Sequence, residues 1–193
     1  MKLYVIRHGQ SEGNIRGVFS GWLQHNLTEK GREDARTAGR IIEKVKFDKV
    51  YASDLNRAIE TAKIAIPYCD CEPTSLIRET NVGIIGNMPY EEAALKYGHL
   101  YKKPNGFDYG EIGGESCAQL DKRVQEFLDI VASSQHENIA AFCHGGTMRA
   151  FLRNVIGKDI NTYNFECPNC CISVFELKND RWILKTWNYS EEI

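Results

Sequence analysis

A chain of 193 residues is of the size that one hydrophobic core commonly serves, and no stretch resembles a linker, so residues 1–193 are expected to form a single domain. A hydrophobic fraction of 42%, a charged fraction of 26% and a formal net charge of -2 leave no broad positive field for nucleic acid, and an anionic partner must be met by charge gathered locally. No run of roughly 18 apolar residues offers a membrane span, the seven cysteines are odd in number, and Met1 opens onto a β-rich stretch rather than a secretory leader, so a cytoplasmic setting is expected.

Short apolar runs alternate with amphipathic stretches, which predicts an α/β fold of βα units around a mostly parallel sheet. Leu3–Ile6 is the first strand candidate and runs straight into Arg7-His8-Gly9. Thr28 can cap a helix in which Ala35, Ala38, Ile42 and Val45 recur at helical spacing. Lys49–Ala52 predicts a second strand, after which Asp54 can cap a helix carrying Ala58, Ala62 and Ala65. Thr74–Ile77 predicts a third, just before Arg78-Glu79. From Gly83 to Gly114 the chain is irregular, with Pro89, Pro104 and several glycines around one short helix at Glu91–Tyr97; this reads as a lid, inserted at about 83–114. Ser116-Cys117-Ala118-Gln119 spells a capping box, followed by Leu120, Val124, Phe127, Leu128 and Val131 on one helix face. Asn138–Phe142 is a strand candidate leading to Cys143-His144. A helix starting near Thr147 should turn Leu152, Val155 and Ile156 inward and stop at Gly157. Ile172–Leu177 and Trp182–Trp187, joined at Lys178-Asn179-Asp180, predict an antiparallel hairpin.

In open α/β sheets ligands bind beyond the carboxyl ends of the strands. Arg7, His8 and His144 follow strand candidates, and so do Asp54, Arg57 and Glu79, so one crevice should hold two imidazoles, arginines and a carboxyl group. That set suits a phosphate monoester. A neutral imidazole is a competent nucleophile, Arg7 and Arg57 can clamp nonbridging oxygens with planar donors, and His144, if protonated, adds charge where the transition state spreads it. Gly145-Gly146 lets backbone approach the oxyanion at a helix amino end. Glu79 is the carboxyl best placed by strand order to protonate the leaving alkoxide and then to activate the attacking water, a cycle that needs no metal and no cofactor.

Other features carry blander readings. Glu29, Glu60 and Glu115 compete with Glu79 for the acid's role. Gly113-Gly114-Glu115-Ser116 reads first as a turn and helix cap, although its amides could line a pocket. Cys167-Pro168-Asn169-Cys170-Cys171 lacks the four ligands of a structural zinc site and reads as packing cysteines. Lys102 and Lys103 read as solvated surface. Tyr90, Tyr97, Tyr101, Phe107 and Tyr109 either wall the substrate or tie the lid to the domain.

The motif Arg7-His8-Gly9-Gln10-Ser11-Glu12-Gly13-Asn14 resembles the opening signature of the histidine phosphatase superfamily, also called the phosphoglycerate mutase-like family. The resemblance continues in order through Gly21-Trp22, Leu27-Thr28-Glu29-Lys30-Gly31-Arg32, Ser53-Asp54-Leu55-Asn56-Arg57-Ala58, Arg78-Glu79, Gly113-Gly114-Glu115-Ser116 and Cys143-His144-Gly145-Gly146. It implies a three-layer sandwich, with His8 as phosphoryl acceptor, Arg7, Arg57 and His144 as phosphate ligands and Glu79 as proton donor. It further implies phosphoryl contacts from Asn14 and the Gly145 amide, and a part in substrate binding for Ser20 and Gly21. Gly13, Gly86-Asn87, Gln24 and Asn26 depart from the family pattern around the entrance and lid. The short span from Glu79 to His144 is similar to that of compact phosphatases such as alpha-ribazole phosphatase rather than the longer mutases, so the resemblance implies hydrolysis of a small phosphorylated metabolite.

Overall fold

A computed structural model describes residues 1–100 and 107–189. One sheet holds β1 (Lys2–Arg7), β2 (Lys49–Ser53), β3 (Cys71–Thr74), β4 (Asn138–Cys143), β5 (Ile172–Lys178) and β6 (Arg181–Tyr189) in the order β3-β2-β4-β1-β5-β6. The first four in that order run parallel, and β5 and β6 return antiparallel. Asn179 and Asp180 both take positive φ, 51° and 58°, between β5 and β6, a backbone that these two residue types tolerate in tight hairpins.

Side chains alternate across a strand, so each strand feeds two layers. Leu3, Val5, Ile139, Ala141 and Cys143 pack beneath α5 (Cys117–Ser133) and α6 (Gly145–Val155), against Leu120, Val124, Phe127, Met148 and Phe151. Ile6, Val50, Ala52, Ala140 and Phe142 face the other way, onto Ala35, Ala38 and Ile42 of α2 (Glu29–Ile42) and Ala62 and Ala65 of α3 (Asn56–Ala65). Helices on both faces make the three-layer α/β sandwich expected. Burying side chains as large as Phe127, Phe142 and Phe151 contributes roughly 1.5–3 kcal/mol apiece.

The structure departs from the expected elements at several points. The third strand is Cys71–Thr74; Thr74 then accepts a bond from the Leu76 amide at 3.2 Å and turns residues 75–77 into a 3-10 helix. Pro73 suits this strand because β3 lies at the sheet edge, where a missing N–H costs little. Asp54 does not cap α3: its carboxylate holds the Arg78 guanidinium at 2.6 and 2.5 Å, and Gln24 accepts from the first helical amide, Asn56, at 2.9 Å. The helix after His144 begins at Gly145 rather than Thr147, whose hydroxyl instead donates to the Arg78 carbonyl at 2.6 Å. Ile156 points outward, 46% exposed.

Within the irregular region, α4 (Tyr90–Tyr97) and Val82, Ile85, Ala93, Leu100 and Tyr109 form a small cluster of their own. Tyr101, Lys102, Lys103 and Pro104 lie outside the described residues. Before it, α1 (Glu12–Ile15) is a single turn capped by Ser11, which the sequence pattern did not announce.

Candidate active site

Register brings the two imidazoles together. Arg7 pairs with Cys143 across the β1–β4 ladder, so His8 and His144, each the next residue, lie side by side, with ring centroids 5.1 Å apart and planes inclined by 57°. The His8 amide donates to the Cys143 carbonyl at 2.9 Å, carrying the pairing one step past the strands.

The Nδ1 of His8 lies 2.7 Å from the Gly9 carbonyl. A carbonyl can only accept, so Nδ1 carries the proton and Nε2 keeps its lone pair in the neutral ring. Burial, then the charges of Arg57 and Arg7, push the His8 pKa well below 6.5. The same causes, burial foremost, lower His144 well below 6.5, with Arg57, His8, Arg7 and Arg123 adding to it. Both rings are therefore neutral in the free protein near pH 7.

An unfolded chain protonates these imidazoles as pH falls through 6.5, whereas the folded chain resists. Acid then favours the unfolded state, so the stability these two sites contribute is complete above that pH and is lost progressively below it. Thermal melts from about pH 8 to about pH 5 should show a falling midpoint, and added inorganic phosphate should protect more at the acid end by favouring a protonated His144. A midpoint flat over that range would refute this electrostatic account.

A cavity of about 550 Å³ opens on this pair, lined by Arg7, His8, Arg57 and Glu79, by Asn14, Ser20 and Gly21, and by Gly145 and Gly146. His144 is fully buried behind it, against His8. Arg57, also fully buried, donates to the Gly21 and Leu23 carbonyls at 2.9 Å each, and Arg7 donates to the Cys167 carbonyl at 2.5 Å. Among the described residues neither arginine has a carboxylate in ion-pair contact, and Arg7 Nε, Arg57 Nε and both His144 ring nitrogens are buried without a hydrogen-bond partner. The guanidinium N–H donors left in this way strongly favour an anion with several acceptor oxygens.

The carboxyl of Glu79 accepts from the Thr80 amide at 2.8 Å and, through its other oxygen, from the Gly146 amide at 3.2 Å. Only glycine permits this approach: a Cβ at Gly146 would stand 2.3 Å from Glu79 Oε1. In α1 the Ser11 amide and hydroxyl both donate to Asn14 Oδ1 at 3.0 Å, so the Asn14 NH2 is the end left for a ligand. Gly21 takes φ +47°, which a residue with a side chain rarely adopts.

The structure also adds residues that the sequence reading passed over. Arg149 lines the cavity with Lys158, Asn161 and Tyr163, its guanidinium 5.4 Å from the Tyr163 ring centre. Its place four residues after Gly145, hence on the same helix face, was the available signal. Arg153 lies there too but is neutralised by a buried bidentate pair with Asp121 at 2.7–2.9 Å. Tyr90, Phe107 and Tyr109 line the cavity, whereas Tyr97 packs on the neighbouring cluster. Gly113 and Gly114 form a turn away from the cavity lining, with Ser116 capping α5. Cys167 and Cys171 pack into one core layer and Cys170 into the other. Among the described residues no three or more His, Cys, Asp or Glu converge as metal ligands, and no helix is long and apolar enough to cross a membrane.

Guanidinium groups around a neutral imidazole pair, at the carboxyl ends of parallel strands, make a site suited to an anionic group in an α/β protein. The chain belongs to the histidine phosphatase superfamily, branch 1, matching it over residues 3–190. It is 33% identical over 166 residues to a 2,3-bisphosphoglycerate-dependent phosphoglycerate mutase of Xanthobacter autotrophicus, covering 78% of each chain. A broad-specificity phosphatase of Saccharomyces cerevisiae is 30% identical over 160 residues, 79% of this chain and 69% of the yeast protein. In fold, the alpha-ribazole phosphatase of Shigella flexneri superposes with a TM-score of 0.86 at 22% identity, over 100% of this chain and 98% of the other.

Proposed function

We propose that the chain is a metal-independent phosphomonoesterase that hydrolyses small phosphorylated metabolites through a phosphohistidine on His8. The observation that carries this reading is the locked, neutral His8 ring, with its Nε2 lone pair unprotonated, lining a cavity beside guanidinium groups that, among the described residues, have no carboxylate in ion-pair contact. Arg7, Arg57, Asn14 and the Gly145 amide hold the nonbridging oxygens as Nε2 attacks phosphorus and the ester P–O bond breaks. His144, drawn into protonation by the incoming dianion, stabilises the charge that spreads over those oxygens. Glu79 gives its proton to the departing oxygen and then takes one from the water that attacks phosphohistidine, releasing phosphate and restoring the free ring. Ser20 and Gly21, with Tyr90, Phe107 and Tyr109 of the lid, wall the rest of the substrate, and Arg149 favours substrates with a second anionic group. The odd set of mostly buried thiols suits a reducing cytoplasm.

Mutase relatives favour a second reading, in which the phosphoryl group passes to another hydroxyl rather than to water. The short lid favours water. Purified protein with chelator, given phenyl phosphate and then a panel of phosphorylated metabolites, should release inorganic phosphate and acquire an acid-labile, base-stable phosphoryl group. Interconversion of phosphoglycerates primed by bisphosphate, faster than phosphate release, would replace hydrolysis by transfer.

A further inference from the structure

The strand-to-lid segment that carries Glu79 is fastened at several carbonyls by Arg123. Arg123, on α5, donates from Nη1 to the carbonyls of Leu76 (2.9 Å) and Arg78 (2.7 Å), and from Nη2 to that of Glu79 (2.9 Å). Its Nε and Nη2 also meet the two carboxylate oxygens of Glu115, at 3.1 and 2.6 Å. Glu115 reaches onward, accepting from the Asn81 amide at 2.9 Å, so the pair grips the chain on both sides of Glu79. Trp22 Nε1 adds a second donor to the Glu79 carbonyl at 2.7 Å.

Side-chain exposures of 14% for Arg123 and 11% for Glu115 place this pair largely out of water. Desolvating two charges costs so much that a buried ion pair is weak evidence of stabilisation, and its use lies more often in fixing geometry. Here the geometry fixed is that of a carboxyl group which must meet one ester oxygen to within about 0.5 Å. Neither residue lines the cavity. A lysine cannot imitate the arrangement, because a point ammonium cannot direct donors at three carbonyls and a carboxylate together.

We infer that Arg123 and Glu115 are positioning residues that aim the proton-donating Glu79 through its own backbone. The inference rests on the reading of Glu79 as general acid, and the test separates the two. A nitrophenolate leaves without a proton, whereas an alkoxide does not. Arg123→Lys and Glu115→Gln should therefore lower kcat/KM, which reports the phosphoryl-transfer step and not the later attack of water, roughly 10–100-fold more for glycerol 3-phosphate than for 4-nitrophenyl phosphate, with Glu79→Gln as reference. Equal losses on both substrates in these variants, while Glu79→Gln shows the split, would reduce the pair to a structural tie and overturn the inference. Absence of the split in Glu79→Gln itself would remove the acid assignment and this inference with it. Should Arg123→Lys fail to fold, Glu115→Gln, which keeps size and hydrogen-bonding shape, decides alone.

Discussion

His8→Ala is expected to lower turnover of an aryl phosphate roughly 10⁴-fold or more, the scale seen when a covalent nucleophile is deleted and only transition-state binding remains. The loss should fall on kcat, because Arg7, Arg57 and the Gly145 amide stay in place to hold the ester. Folding should survive: the bond that ties this residue to β4 comes from its backbone amide, and the ring bonds to its own neighbour, Gly9. Steady-state rates with 4-nitrophenyl phosphate, together with acid-labile phosphate trapped on the wild-type protein alone, check this. A variant turning over at the native rate would move the nucleophile elsewhere.

Arg57→Met should lower kcat/KM roughly 10²–10³-fold, the range for removing one preorganised donor from a developing oxyanion. Burial chiefly, and Arg7 as well, press the Arg57 pKa down to about 10, while the Glu79 carboxylate opposes them. Even at that value the group stays charged near pH 7. Its two terminal nitrogens already hold the Gly21 and Leu23 carbonyls, so the guanidinium cannot swing away to find water. A cation fixed in this way needs no reorganisation when charge spreads over the transferring group, and methionine keeps the stem's packing while deleting that charge. Vanadate inhibition measured in parallel should weaken by a similar factor. A variant within threefold of the native protein on both readouts would show that Arg57 serves the loop alone.

The meeting of His8, His144, Arg7, Arg57 and Glu79 around one cavity could be expected from sequence because each lies at or close after the end of a strand, and a parallel sheet gathers such ends by its topology. The alternation of short apolar runs with amphipathic stretches likewise announced a sheet with helices packed on it. What the sequence concealed depended on tertiary partners. Asp54 looks like a helix cap, yet the Arg78 side chain claims it. Thr147 looks like a helix start, yet the two glycines before it already adopt helical backbone, and its hydroxyl is drawn to Arg78. Arg123 and Arg149 sit within amphipathic helices, where an arginine reads as solvated surface until the segment facing it is known.

The coupling of His8 and His144 to one ladder also bears on how such a protein diversifies. The spacing between the two imidazoles follows from the hydrogen-bonded register of β1 and β4, most of whose side chains are buried. Phe19, Phe107 and Tyr109, which line the cavity beside them, belong to a separate cluster around Val82, Ile85 and Leu100. Substitutions there can retune which metabolite is accepted without disturbing the reaction itself, so lineages can exchange substrates while inheriting the same chemistry.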